Sequence, residues 1–167
     1  MYDPSNFVYP YGAHIAVVEV DTETGKVEVV KYVAVDDVGT LINPKVVEGQ
    51  VIGGVIQGIA EAIYEEAVYD EHGQLVTGSM TNYEIPAAPD VPSIITGNTV
   101  TPSTTNELGV KGVGETGTIA SPPAVVNAVI DALSPYGVTG IGRPMSPERV
   151  WRTIREAEAS GKGGGRS

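Results

Sequence analysis

No cysteine occurs anywhere in the 167 residues. That excludes disulfide scaffolds, thiolate zinc sites, cysteine nucleophiles and iron–sulfur ligation by this chain. It also fits a reducing compartment, and the expected location is cytoplasmic. Histidine is scarce: His14 falls in a β-rich run and His72 in a turn. Neither has a ligand spacing to carboxylates, so no metal ligands are expected. Bases are few, 10 lysines and arginines against 21 acids, for a formal net charge of −11. Such a chain is poorly suited to nucleic acid, whose phosphates need lysine and arginine. No uncharged apolar run reaches the roughly 18–20 residues of a membrane helix. The longest candidate, 46–63, carries Glu48, Gln50, Gln57 and Glu61. The opening residues show no basic or apolar signal-peptide region. The Walker phosphate loop and the Gly-x-Ser-x-Gly elbow are both missing.

What is present is unevenly arranged. Residues 1–90 hold fifteen acids against three lysines, whereas six of the ten bases lie between Arg143 and Arg166. The length suits one domain with its own core. Residues 13–20 and 27–35 are β-rich and flank the turn cluster Asp21–Lys26, which predicts a β-hairpin. A helix is predicted over 44–66, with Val47, Val51, Val55, Ile59 and Ile63 on one stripe. Gly49, Gly53, Gly54 and Gly58 lie inside it, each costing about 1 kcal/mol relative to alanine. Close approach of another backbone or of a ligand would offset that cost. A second hairpin is predicted around Asp70–Gly73, and a strand within 94–101. Ser121 followed by Pro122 reads as a helix start, and so does Ser146 followed by Pro147. The last helix should run from Pro147 to Ala159 with Val150, Ile154 and Ala157 inward, and its arginines on the wet face. Gly161–Ser167 reads as a frayed tail. Hairpins first and helices later favour an α+β fold: a two-layer sandwich of mainly antiparallel hairpin strands with three main helices.

The sharpest chemistry lies in Gly109–Thr118, GVKGVGETGT, with four glycines in nine residues. Lys111 is the only base between Lys45 and Arg143, and Glu115 the only acid between Glu107 and Asp131. A lone carboxylate in a loop of exposed backbone N–H groups is a candidate general base, and a solvated surface glutamate is the plainer alternative. Gly112-x-Gly114-x-x-Gly117 matches the dinucleotide fingerprint. That fingerprint needs a buried strand immediately before it and a helix starting within it. Here 102–108 is polar and the helix signal comes only at Ser121, which argues against a nicotinamide-binding domain. Asp36-Asp37 reads as a turn rather than a cation site.

The loop, followed by Ala120-Ser-Pro-Pro-Ala-Val-Val-Asn-Ala128, resembles the C-terminal signature of the molybdenum hydroxylases. This is the xanthine oxidase family, and within it the large, molybdopterin-binding subunit of aerobic carbon monoxide dehydrogenase-like enzymes. Asp36–Pro44, Gly49–Gly58 and Thr81–Pro86 resemble further segments of that subunit in the same order, so the likeness runs from about Tyr9 to Ile154. The resemblance implies a molybdopterin-binding domain-like fold, with residues 1–160 as a C-terminal lobe and 161–167 as a flexible tail. It implies that Glu115 is the catalytic base. It further implies that Gln50, Lys111, Gly112, Val113 and Gly114 contact a molybdenum–molybdopterin cofactor in its cytosine dinucleotide form. No residue is implied as a metal ligand. Oxidation of carbon monoxide, an aldehyde or an N-heterocycle with water-derived oxygen is the implied oxidoreductase activity. The implied partners are the remainder of the large subunit, an iron–sulfur subunit carrying 2Fe-2S and a flavin subunit; without them the chain would be inactive. An alternative is a folding or interaction module without cofactor. A lobe of a larger subunit should expose apolar surface around 50–58 and 111–117, which an independent module should have covered.

Overall fold

The computed structural model describes residues 6–161. Strand β1 (Tyr11–Val20) and strand β2 (Val27–Asp37) form the expected antiparallel hairpin, with a bulge between Val17 and Val18. Asp21 organises its turn, accepting from the Glu23 N–H at 2.9 Å and the Thr24 hydroxyl at 2.8 Å. Gly25 sits there at φ 76°, pressed so closely on the last helix that a Cβ would lie 2.0 Å from the Pro147 carbonyl.

Helix α1 (Pro44–Ile63) starts as Asn43-Pro44 directs: the Asn43 side chain accepts from the Val46 N–H at 3.3 Å, and Pro44 needs no partner at N1. It stops at Ile63, short of the expected Glu66. The stripe at i, i+4 is confirmed, with Val51, Val55, Ile59 and Ile63 buried and Val47 half-buried. By length and composition alone α1 is apolar enough to cross a membrane, yet it is a core helix here. Strand β3 (Ser93–Thr99) runs parallel to β2, completing a sheet of order β1-β2-β3. The sheet is therefore half antiparallel and half parallel, because β3 returns after α1 rather than through a tight turn. The second predicted hairpin reduces to one bridge, Tyr69 to Leu75.

Helix α2 (Thr116–Leu133) begins five residues before the expected Ser121 start, and Pro122 and Pro123 lie inside it. Helix α3 (Pro147–Ala159) matches its expected span, with the Ser146 side chain accepting from the Arg149 N–H. Its arginines pair with surface carboxylates, Arg149 with Glu66 at 3.1 Å and Arg155 with Glu158 at 2.8 Å.

Helices α1 and α2 cover one face of the sheet, α2 over β1 and α1 beside it towards β3, while α3 packs at the β1–β2 turn end. Between the layers lie Val27, Val29, Tyr32 and Ala34 of β2, Val125, Val129 and Leu133 of α2, and Val150 and Ile154 of α3. The α+β two-layer class is thus correct. Of the expected tail, Gly161 closes α3 in a turn; 162–167 lie outside the described residues.

Candidate functional site

The site grows from the end of β2. Asp36 and Asp37 follow each other on a strand, so their side chains leave on opposite faces, yet both are buried. Asp37 is not a turn residue. Its Oδ1 accepts from the Lys111 ammonium at 2.9 Å and the Gly39 N–H at 3.0 Å. Its Oδ2 accepts from the Tyr11 and Thr99 hydroxyls, each at 3.1 Å. The Tyr11 ring also lies 4.5 Å from the Lys111 ammonium. Burial on its own would push the Asp37 carboxyl upward. The Lys111 ammonium, the Gly39 N–H and the Thr101 and Thr99 hydroxyls outweigh it and hold Asp37 well below the ordinary carboxylate range.

On the opposite face Asp36 accepts from His14 Nε2 at 3.2 Å, and His14 Nδ1 lies 2.9 Å from the Tyr32 hydroxyl. His14 thus bridges the Asp36 carboxylate and the Tyr32 hydroxyl through its two ring nitrogens. Burial, with the Asp36 charge behind it, pushes the Tyr32 phenol upward and keeps it a donor. Both ring nitrogens of His14 are thus hydrogen-bonded.

From β2 the chain turns at Gly39, φ 68°, and meets the glycine loop in an isolated antiparallel bridge, Gly39 to Val110. The Thr40 N–H donates to the Gly109 carbonyl and the Lys111 N–H to the Val38 carbonyl, both at 2.9 Å. Beyond Lys111 the loop is open. A Cβ on Gly112 or Gly114 would meet nothing within 4 Å, and Val113 tucks its side chain against the core. Glu115 then occupies the N-cap position of α2, but its side chain makes no capping bond and stays exposed. Next to it, Thr116 Oγ1 is buried without a partner among the described residues. A buried orphan hydroxyl at a helix start, beside an open glycine loop, is what an oxygen-rich ligand satisfies.

Helix α1 reaches this place through its glycines. A Cβ on Gly54 would lie 2.8 Å from the Thr118 nitrogen, one on Gly58 1.7 Å from Ser121 Oγ, and one on Gly117 2.3 Å from the Val51 carbonyl. The two helices therefore cross in near backbone contact, which offsets the cost of Gly54 and Gly58. Gly49 and Gly53 face open space instead. Gln50 precedes the Val51 that Gly117 touches, so the crossing sets it at the same end as Glu115 and Thr116.

Gln50, Gly112, Gly114 and Glu115 are exposed, whereas Lys111 and Val113 are half-buried. The helix crossing sets Gln50 at the same end as Glu115, and Gly112–Gly114 lead into that end, whereas the Lys111 ammonium turns away onto Asp37. Sequence reasoning missed Tyr11, Asp37, Thr99 and Thr116. The adjacency of Asp36-Asp37 to Gly39 was the available signal for Asp37; nothing in spacing marks the other three. Contrary to expectation, α2 does begin within Gly112–Gly117. The last glycine of that fingerprint is packed on α1 rather than free, and the segment before it forms a single bridge rather than a strand. A cavity of about 530 Å³ lies elsewhere, between Tyr64, Glu84, Asp90 and Pro147.

Contrary to expectation, residues 50–58 and 111–117 expose no large apolar side chain; the exposed ones, Ile42, Val46, Leu108 and Ile119, lie just outside those segments in the chain and are all more than half exposed. An apolar area, not anticipated, lies on the sheet face away from the helices. There Ile15, Val33 and Ile95 form one row across the three strands, with Val17 and Val35 beside them.

The glycine loop thus presents an open face at a helix start, backed by an internal ion pair. The chain belongs to the molybdopterin cofactor-binding domain family, which it matches over residues 1–92. That match includes Gln50 and stops before the glycine loop. The carbon monoxide dehydrogenase large chain of Hydrogenophaga pseudoflava is 40% identical over 155 residues, 93% of this chain and 19% of that one. The nicotine 6-hydroxylase large subunit of Paenarthrobacter nicotinovorans is 43% identical over 154 residues, 92% of this chain and 19% of the relative. The crystal structure of quinoline 2-oxidoreductase from Pseudomonas putida 86 superposes with a TM-score of 0.90 at 46% identity, over 93% of this chain and 20% of that one. The chain thus spans about a fifth of the length of these relatives. The residues present fit the cofactor: Gly112 and Gly114 leave room, and Thr116 has a hydroxyl to pair.

Proposed function

We propose that this chain forms one wall of the molybdenum-cofactor site of a hydroxylase and supplies its general base, Glu115. One observation carries the reading: the glycine loop delivers an exposed, unpartnered Glu115 carboxylate to the start of α2, beside an orphan buried hydroxyl and the Gln50 end of α1. When bound, the cofactor supplies a metal centre that takes two electrons from the substrate. The residues of this chain bind and orient. Backbone N–H groups of Gly112, Val113 and Gly114 hold ligand oxygens, the Gln50 amide adds a side-chain contact, and Thr116 Oγ1 gains a partner. Glu115 accepts the proton released as water-derived oxygen is transferred. In this reading the cofactor is the cytosine dinucleotide form, and the substrate is carbon monoxide, an aldehyde or an N-heterocycle.

The same reading makes residues 1–160 a C-terminal lobe. It works in the cytoplasm with the remainder of the large subunit, an iron–sulfur subunit carrying 2Fe-2S and a flavin subunit. The apolar row on the outer sheet face supports a covering partner, as do the exposed side chains of Ile42, Val46, Leu108 and Ile119. An independent module without cofactor should have buried both.

In the assembled enzyme, Glu115→Gln should keep full molybdenum content and lower turnover by about 10²–10⁴-fold, the usual loss for a general base. Unchanged turnover would remove Glu115 from the mechanism. Molybdenum and larger polypeptides should co-elute with this chain from a sizing column; a small metal-free species would favour the module.

A further inference from the structure

We infer that Asp37 and Lys111 act as a positioning pair that sets where the loop Gly112–Glu115 lies, and that the Lys111 side chain is not a cofactor contact. The inference rests on the reading of Glu115 as the base.

Lys111 is the last point at which the loop is tied to the sheet. Its N–H donates to the Val38 carbonyl at 2.9 Å, and its ammonium reaches Asp37 at the same distance. The Lys111 side chain is 9% exposed and that of Asp37 is 0% exposed. The Tyr11 ring closes over the ammonium, so little of it faces the cofactor side. Asp37 is itself fixed from β1 by Tyr11, from β3 by Thr99 and from its own turn by Gly39. The ion pair thus ties all three strands to the loop. Downstream, the next fixed points are the bonds that open α2, from Thr116 N–H to the Val113 carbonyl at 3.3 Å and from Ile119 N–H to the Glu115 carbonyl at 3.0 Å. Between these anchors, Gly112 and Gly114 have no side chains to hold the path. Lys111 thus holds the loop from the sheet side, as Val113 on the core and Gly117 on α1 hold it further along, and the position of Glu115 depends on this first anchor as well as on the later ones. Displacing a reacting group by about 1 Å is enough to cost on the order of 10²-fold in rate.

The test uses the assembled enzyme with Lys111→Met, Asp37→Asn, the double variant and Glu115→Gln. Each is measured for molybdenum and pterin content, kcat, KM and amide hydrogen exchange over 112–119. Both single variants should keep the cofactor and show faster exchange at Val113–Thr116. Each should lose about 10–10²-fold in kcat with KM nearly unchanged. The double variant should lose no more than the worse single one, because the two residues act as a unit. Cofactor loss in Lys111→Met alone would make Lys111 a cofactor contact and overturn the inference. Multiplicative losses, or unchanged exchange, would overturn it too. Unchanged turnover in Glu115→Gln would remove the base while leaving the exchange result to judge the pair. Should the single variants fail to assemble, Tyr11→Phe removes one Asp37 donor while keeping the ring. It should show the same pattern at smaller amplitude, and exchange equal to the wild type would reject the pair.

Discussion

Asp36 and Asp37 are adjacent in the chain but belong to different networks, one ending in His14 and Tyr32, the other in Lys111, Tyr11 and Thr99. Each carboxylate is tolerable in the interior because its face of β2 supplies donors. For Asp37 this fixes a pH dependence. The unfolded chain takes up the proton near 3.8, the folded chain only at lower pH. Stability from Asp37 is therefore complete above that value and is lost as the pH falls through the lowered one. In urea titrations the stability gap between the wild type and Asp37→Asn should be constant between about pH 5 and 8 and narrow on acidification below about pH 4. A gap that grows on acidification would reverse the sign argued here. The sequence marked Lys111 and Glu115 correctly as isolated charges, since their neighbours are all uncharged. It left Asp37 as a turn residue because its partner lies 74 positions away, a pairing that only the folded sheet creates.

Among the elements, the α1–α2 crossing separates two kinds of glycine that look alike in sequence. Gly54 and Gly58 are in contact with α2, whereas Gly53 faces open space. Gly58→Ala would drive a methyl into Ser121 and Pro122 and should destabilise the chain by about 1–3 kcal/mol. Gly53→Ala should instead be neutral or stabilising by up to about 1 kcal/mol, from helix propensity alone. Urea midpoints at unchanged m-value decide both. The crossing also explains the misplaced start of α2. Ser121-Pro122 has the composition of a helix start, but here both residues are buried where Gly58 admits them, and the Ser121 hydroxyl reaches the Gly54 carbonyl at 3.5 Å. Local start signals were overridden by a tertiary contact. Where the local signal and the packing agree, as in the β1–β2 hairpin, α1 and α3, the elements were legible. The parallel pairing of β3 was not, because turn chemistry announces only neighbours in sequence.

For the whole molecule, the informative surface is the outer face of the sheet. Ile15 is 62% exposed and Ile95 47%, on a chain with a net charge of −11. On so acidic a surface an uncovered aliphatic row stands out, which supports the proposed covering partner. Ile15→Lys should lower the binding of an apolar dye by the isolated chain without changing its fold by circular dichroism. If the chain works within a larger subunit as proposed, the same substitution in that subunit should reduce assembly, read as recovery of the complex. Equal recovery would mean that the row is not an interface. Sequence patterning shows that Ile15, Val33 and Ile95 alternate with inward residues. That the three line up in one row was not legible, because the alignment depends on the parallel pairing of β3. The parallel return of β3 also has a kinetic consequence. The hairpin can close early from local contacts, but the free edge of β2 waits until α1 and everything up to Pro92 has been made. During that interval the chain carries an unpaired strand edge, the feature most prone to wrong pairing with another copy. The speed with which Ser93–Thr99 docks therefore governs how much of the newly made protein reaches its native sheet.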